Sequence, residues 1–297
     1  MVPIGDQHDA SSVRQQGVFT VKILALLLNA AVVSGALIGF SSGAMAGESC
    51  AAGKTLKEGT LTIATGEPAY FPWVIDNKPE SGKGFEAAVA LEVAQRMGFP
   101  ADKVTWVRTT FDQAIQPGPK DFDFNLQQYT ITDERAKVVD FSTAYYKPAQ
   151  AVLVSKPTVE AGAKPTVESL KALHWGAVEG TTQPQLLKTL VNPTQALMFY
   201  SDVADSVEAL KARQIDAVLM DLPSALYTAA AVLPDGVVLG QFEGSSDASQ
   251  GIGLVFEKGN ALRDCANEAL ASMEADGKLK AIEAEWLQTA TGAPLIK

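Results

Sequence analysis

The chain has 297 residues, 47% hydrophobic and 20% charged, which is the composition of a globular protein of one large or two medium domains. Its formal net charge of -10 at pH 7 argues against nucleic acid and against an anionic membrane surface as partners. Any anion site must therefore be built locally, against the field of the whole protein.

The first residues read as a targeting segment. Arg14 and Lys22 precede an apolar run from Ile23 to Phe40, and Ala44-Met45-Ala46 supplies a small-residue cleavage site. Residues 1–46 are expected to be a signal peptide cleaved after Ala46, with 47–55 a short linker. An uncleaved N-terminal anchor is the rival reading. Lipidation of Cys50 is disfavoured, because Gly47-Glu48-Ser49 lacks the aliphatic residue such a signal carries. That segment holds two acids (Asp6, Asp9) and two bases, so its removal leaves the charge unchanged. No later stretch is long and apolar enough to span a membrane. Cys50 and Cys265, the only cysteines, enter an oxidising compartment and are expected to form a disulfide. With no CxxC and only His8 and His174, neither a metal site nor a cofactor is expected.

From Leu61 strand and helix alternate. LTIAT reads as a strand. FEAAVALEVAQRMG reads as a helix with Phe85, Ala88, Val89, Val93 and Met97 on one face and an i,i+4 pair of Glu92 and Arg96. KVTWV is a second strand, and DFDFNL places Phe122, Phe124 and Leu126 on one face of a third. This β-α-β order predicts a largely parallel sheet covered by helices. The Pro, Gly and Ala of Lys156–Ser169 suggest a linker. Beyond it the alternation restarts with strand HWGAVEG, helices TTQPQLLKTL and ADSVEALKARQ, and strand IDAVLMD. The C-terminal part is helical, with Asn260 as a possible cap and Gly277 as a stop.

Four features point to chemistry. In QQYTITDERAK, Thr132 reads as a helix N-cap, which puts Arg135 near the third helical position, where a cation is disfavoured by the helix dipole. Such a cation makes sense if it faces an external anion, and otherwise is a solvated charge. Gly180-Thr181-Thr182 forms a strand-to-helix turn suited to an anion, although Thr182 with Gln185 as a capping box explains it equally well. Asp221 ends a hydrophobic strand, where open α/β sheets bind ligands, or else makes a turn before Leu-Pro. EPAYFPW gathers Tyr70, Phe71 and Trp73 on one proline-stiffened loop, either a stacking wall or core. No nucleophile triad, phosphate loop or dinucleotide fingerprint is present.

Together these stretches resemble the family-three periplasmic solute-binding proteins of amino-acid ABC transporters. The resemblance covers about residues 56–290 and is most specific in QYTITDERAKVVDFSTAYY; GFEAAVALEVAQRMG, VEGTTQ, QGIGLVFEKGNALRD and DGKLKAIEAEWL extend it. It implies a type II α/β fold of two lobes, each a mainly parallel sheet flanked by helices, joined by two hinge strands. Lobe 1 would be 56–148 and 252–297, and lobe 2 would be 149–251. It also implies a monomer that closes on one amino acid and passes it to an inner-membrane permease. Arg135, Thr130, Gln128, Thr181 and Thr182 would take the ligand's carboxylate, and Asp221 its ammonium. Tyr70 and Phe111, with Trp73, would flank the side chain, and Glu67 would favour side chains that donate hydrogen bonds. Gln127-Gln128 stand where the family commonly has two serines, and Gly66-Glu67 lengthens the first loop. The alternatives are a secreted cyclohexadienyl-dehydratase-like enzyme using Glu67 or Glu179 as general acid, and an amino-acid sensor domain. Intact mass of the exported protein should correspond to residues 47–297, with no lipid adduct on Cys50.

Overall fold

The computed structural model describes residues 49–242, 251–287 and 293–297; the expected signal peptide and its cleavage site lie outside them. The strands are β1 (Leu61–Gly66), β2 (Val104–Thr109), β3 (Phe124–Leu126), β4 (Val139–Phe141), β5 (Gln150–Ser155), β6 (Trp175–Val178), β7 (Met198–Tyr200), β8 (Ala217–Asp221), β9 (Gly236–Phe242) and β10 (Val255–Glu257). The helices are α1 (Phe85–Arg96), α2 (Phe111–Ile115), α3 (Asp133–Ala136), α4 (Lys156–Glu160), α5 (Val167–Leu170), α6 (Gln183–Leu190), α7 (Val203–Lys211), α8 (Leu222–Tyr227), α9 (Leu262–Ala275) and α10 (Lys278–Leu287).

Two sheets result, ordered β2-β1-β3-β10-β4 and β7-β6-β8-β5-β9. Both are mixed rather than mainly parallel. In the first, β1 runs parallel to β2 and β3, while β10 is antiparallel to β3 and β4. In the second, β6 runs parallel to β7 and β8, while β5 is antiparallel to β8 and β9. The antiparallel members have one cause. β5 and β10 are the strands by which the chain enters each sheet from the other one, so no covering helix turns them into register with the parallel set.

The helix α1 shows why this sequence folds here. Phe85, Val89 and Val93 are fully buried against Ile63, Leu126 and Phe256, and each such side chain contributes roughly 1.5–3 kcal/mol of burial. The Glu92–Arg96 pair forms on its outer side at 2.8 Å. Gly84, just before it, has φ 104°, and a Cβ there would lie 2.5 Å from the Trp73 carbonyl oxygen. Only glycine lets the aromatic loop pass this close to the helix start. The helices α9 and α10 pack on α1, with Leu262, Met273 and Ile282 in the same core.

Two organisational expectations are corrected. Lys156–Ser169 is no linker between lobes; it joins β5 to β6 inside the second sheet and carries α4 and α5. Its Pro157 sits in the first turn of α4, where proline starts a helix instead of breaking one, and Thr166 caps α5. The final residues also leave the first lobe. Ile296 packs with Val152 and Leu239 under the second sheet, its N–H donates to the Gln241 carbonyl at 2.8 Å, and the Lys297 carbonyl accepts from Val167 N–H. An apolar Ile296 is better covered there than in solvent beyond α10.

Cys50 and Cys265 form the expected disulfide, which ties the start of the described chain to α9. The closed loop spans 215 residues in sequence, so the chain-entropy account gives about 5 kcal/mol as an upper bound for its effect. The purified protein should show no titratable thiols, and Cys265→Ser should lower stability in chemical denaturation by up to that amount.

Candidate functional site

The strand ends define the site. Gly66 at the end of β1, Gln127 and Gln128 after β3, Val178 and Glu179 at the end of β6, and Asp221 at the end of β8 all line one cavity of about 400 Å³. These are the carboxyl ends of parallel strands from both sheets, where α/β folds bind ligands, and the volume suits a small molecule. All ten residues singled out from the sequence border this cavity: Glu67, Tyr70, Trp73, Phe111, Gln128, Thr130, Arg135, Thr181, Thr182 and Asp221.

Arg135 stands where the sequence put it. The Thr132 hydroxyl oxygen accepts from Arg135 N–H at 3.2 Å and caps α3. The guanidinium donates to the Thr130 carbonyl at 2.8 Å and, across the cleft, to the Gly180 carbonyl at 3.0 Å. It also lies 5.2 Å from the centre of the Phe111 ring, a cation–π contact. Two of its five N–H groups are thus committed to carbonyls, which leaves three donors for other acceptors. Burial lowers its pKa, opposed by Tyr129 and Asp112, yet an arginine stays charged throughout the working range.

The turn after β6 differs in detail from the expected capping box. Thr182 has helical backbone angles and caps nothing. Thr181 does that work: its hydroxyl donates to the Val178 carbonyl at 2.7 Å and accepts from Gln183 N–H at 3.3 Å. The cause is Gly180 at φ 72°, which tightens the turn by one residue; a Cβ there would strike the Asp112 carboxylate on the opposite lobe.

The aromatic loop bridges the cleft more than it walls it. Trp73 is 1% exposed, packs edge-on to Phe85 and Tyr146, and donates through Nε1 to the Ser224 hydroxyl at 2.9 Å. Phe71 stacks on Tyr227 with ring centres 4.1 Å apart. Both contacts join the first lobe to α8 of the second. Tyr70 faces the start of α7; burial first, then the Asp202 charge, raise its pKa, against the pull of the Ala204 backbone. Phe111 leans on Tyr129, 4.5 Å away.

Acids dominate the lining: Glu67, Glu86, Asp112, Glu179, Asp202 and Asp221, against Arg135 as the one cation among the described lining residues. Their situations differ. Glu67 accepts from Asn77 Nδ2 at 3.0 Å and lies 3.6 Å from Arg108 Nε on β2, so its charge is largely answered by its own loop and the neighbouring strand. Arg108 in turn holds the Gly66 and Asn77 carbonyls at 2.7 and 2.6 Å. Asp221 caps α8, accepting from Ser224 N–H at 2.8 Å, so the turn role and the cavity position coincide. It is partly exposed toward the cavity, and desolvation pushes its carboxyl up to about 6.

Sequence reasoning missed Glu86. It is 2% exposed, accepts from Gln128 N–H at 2.8 Å, and accepts also from Gln128 Nε2 and the Tyr145 hydroxyl. Gln128 is held at φ 51°, an uncommon backbone for a residue with a side chain, and this carboxylate grips it at two points. Burial pushes Glu86 up to about 7, against the pull of its hydrogen bonds, with the Asp221 charge adding to the rise. A signal existed. Glu86 lies on the face of α1 that also carries Ala90, Val93 and Met97, a charge where the helix is otherwise buried.

The chain matches the bacterial extracellular solute-binding proteins, family 3, over residues 61–289, and belongs to that family. It is 29% identical over 235 residues to the L-cystine-binding protein TcyJ of Escherichia coli strain K12, covering 78% of this chain and 84% of that one. Its structure is similar to an ancestral arginine-binding protein bound to arginine, with TM-score 0.63 and 26% identity over 77% of this chain and 99% of the other. It is also similar to the ancestral amino acid-binding protein AncCDT-1, a precursor of cyclohexadienyl dehydratase, with TM-score 0.61 and 28% identity over 77% and 95% of the two chains.

The raised carboxyls set a pH dependence. Between about 4.5 and 7 the folded protein holds a proton on Glu86 that the unfolded chain has already released. Stability contributed by this group is therefore full below that window and falls as pH rises through it; Asp221 acts in the same direction between about 4 and 6. Thermal unfolding of the ligand-free protein should show a lower Tm at pH 7.5 than at pH 5, and Glu86→Gln should flatten that fall.

Proposed function

We propose that this protein is a periplasmic binding protein that captures one amino acid between its two lobes and delivers it, as a monomer, to an ABC-transporter permease. The observation that carries this reading is the pairing of a guanidinium with donors to spare and a strand-end carboxylate in a single cavity bordered by both lobes. Arg135 would hold the ligand's carboxylate, assisted by Thr130, Thr181, Thr182 and the backbone at Gln128. Asp221 would hold its ammonium. Tyr70 and Phe111 would flank the side chain, while Trp73 serves closure through Ser224. Charge-assisted hydrogen bonds of this kind are worth roughly 1.5–3 kcal/mol each, and exclusion of water strengthens them. Because contacts come from both lobes, the ligand binds the closed form better and drives the hinge.

The acidic lining favours ligands with a donor-bearing or cationic side chain over dicarboxylic ones. Glu67 contributes to that field, but with Arg108 and Asn77 on it, it is a weaker selector than its place in the sequence suggests. The same pairing makes Glu67 a poor general acid for the dehydratase reading, since that role needs a carboxyl free to hand over a proton.

The test is a thermal-shift panel of amino acids with prephenate. A ligand present at a hundred times its Kd should stabilise the protein by about 2.7 kcal/mol. Arg135→Ala should weaken binding by about 3–5 kcal/mol, more than a hundredfold. Asp221→Asn, which keeps the α8 cap, should do the same while the unliganded fold survives. Near-native affinity in either variant removes that residue from the site, and turnover of prephenate would replace binding by catalysis.

A further inference from the structure

We propose that Glu86 and Asp221 act as a carboxyl pair at the ammonium end of the cavity, and that an ammonium-bearing ligand enters by displacing a proton the pair holds. This rests on the binding reading above and adds a proton to its stoichiometry.

The geometry carries the argument. Glu86 comes from the first turn of α1 in one lobe, and Asp221 from the end of β8 in the other; both border the same cavity. The hydrogen-bond partners of both carboxyls are neutral. Glu86 takes the Gln128 N–H, the Gln128 side-chain amide and the Tyr145 hydroxyl. Asp221 takes the Ser224 N–H. Among the described residues no ion pair joins a cation to either acid. Arg135, the cation of this lining, is turned to the Thr130 and Gly180 carbonyls.

Other titratable groups facing the pair bring no positive charge. Tyr145 and Tyr129, on the segments that follow β4 and β3, are held well above the usual phenol range by burial and by Glu86. Tyr146 is pushed above its ordinary value by burial, then by Glu283 and Asp221. Asp112 and Asp202 line the same cavity and add negative charge. The Asp221 charge raises Glu86, and two desolvated carboxyls in one cavity without a counter-cation are poorly ionised together, so one retains a proton near neutrality. The raised positions of both carboxyls agree with this.

An entering ammonium supplies the missing charge. The pair then ionises fully, the proton passes to buffer, and no covalent bond changes. The consequence is selective as well as pH-dependent. A ligand with a carboxylate but no ammonium, such as the 2-oxo acid of a bound amino acid, leaves the proton in place and loses the gain.

The experiment is titration calorimetry with the best binder among L-arginine, L-histidine, L-glutamine and L-cystine, in buffers of contrasting ionisation enthalpy. About one proton should be released per ligand at pH 6 and almost none at pH 8.5, with affinity falling at least tenfold per pH unit just below 6. Carbon-13 spectra of the ligand-free protein should show a carboxyl titrating between pH 6 and 7 that is absent in Glu86→Gln and moves below pH 5 when ligand is bound. Binding without proton release at pH 6, or spectra with no carboxyl titrating above pH 5.5, would overturn the coupling and leave the binding reading standing. Failure of all four amino acids to bind at pH 8.5, where the pair is ionised, would overturn both.

Discussion

The carboxyl ends of β1, β3, β6 and β8 face one another across a single cleft, and most of the molecule follows from that constraint. A parallel strand must end before its helix begins, so each of these strands leaves a short turn with unspent backbone groups at the cavity wall. The strand ends and their turns carry Gly66, Gln128, Thr181 and Asp221. Because two sheets contribute, the cavity exists only while the lobes stay together, and the contacts that hold them are polar or aromatic rather than an extended apolar face. Arg135 on the Gly180 carbonyl, Trp73 on Ser224 and Phe71 on Tyr227 are small, separable interactions. An interface of this kind is suited to opening.

Charge is sorted inside the cleft by how each group is satisfied. Arg135 spends part of its fork on carbonyls and keeps the rest. Glu67 is answered by Arg108 and Asn77. Glu86 and Asp221 are hydrogen-bonded but not charge-balanced, which is costly in a protein interior unless something else arrives. The fold accepts that cost in the place where a ligand would relieve it, as functional sites commonly do.

Residues whose local rule conflicts with their surroundings were the legible ones. Arg135 stood out as a cation at the start of a helix, and Asp221 as an acid closing an apolar strand. The strands and long helices were legible from period alone, because Phe122, Phe124 and Leu126, or Phe85, Val89 and Val93, repeat at the spacing of their element. The rest depended on tertiary partners. Thr181 and Thr182 could not be ranked as caps without knowing how far Gly180 tightens the turn. Trp73 looked like a stacking wall because its partner Ser224 lies 151 residues away. Lys156–Ser169 looked like a linker because its prolines could either break or begin a helix. Glu86 alone left a readable trace that went unused, a charge on the buried face of an amphipathic helix.

The disulfide has a consequence in time. Cys50 stands near the front of the described chain, and Cys265 follows 215 residues later, after the last strand of both sheets. A chain delivered N-terminus first across a membrane would present every strand before its second sulfur arrived. The crosslink would then act as a seal on sheets already paired, not as a guide to their pairing, and an early cysteine would wait unpartnered through most of the crossing.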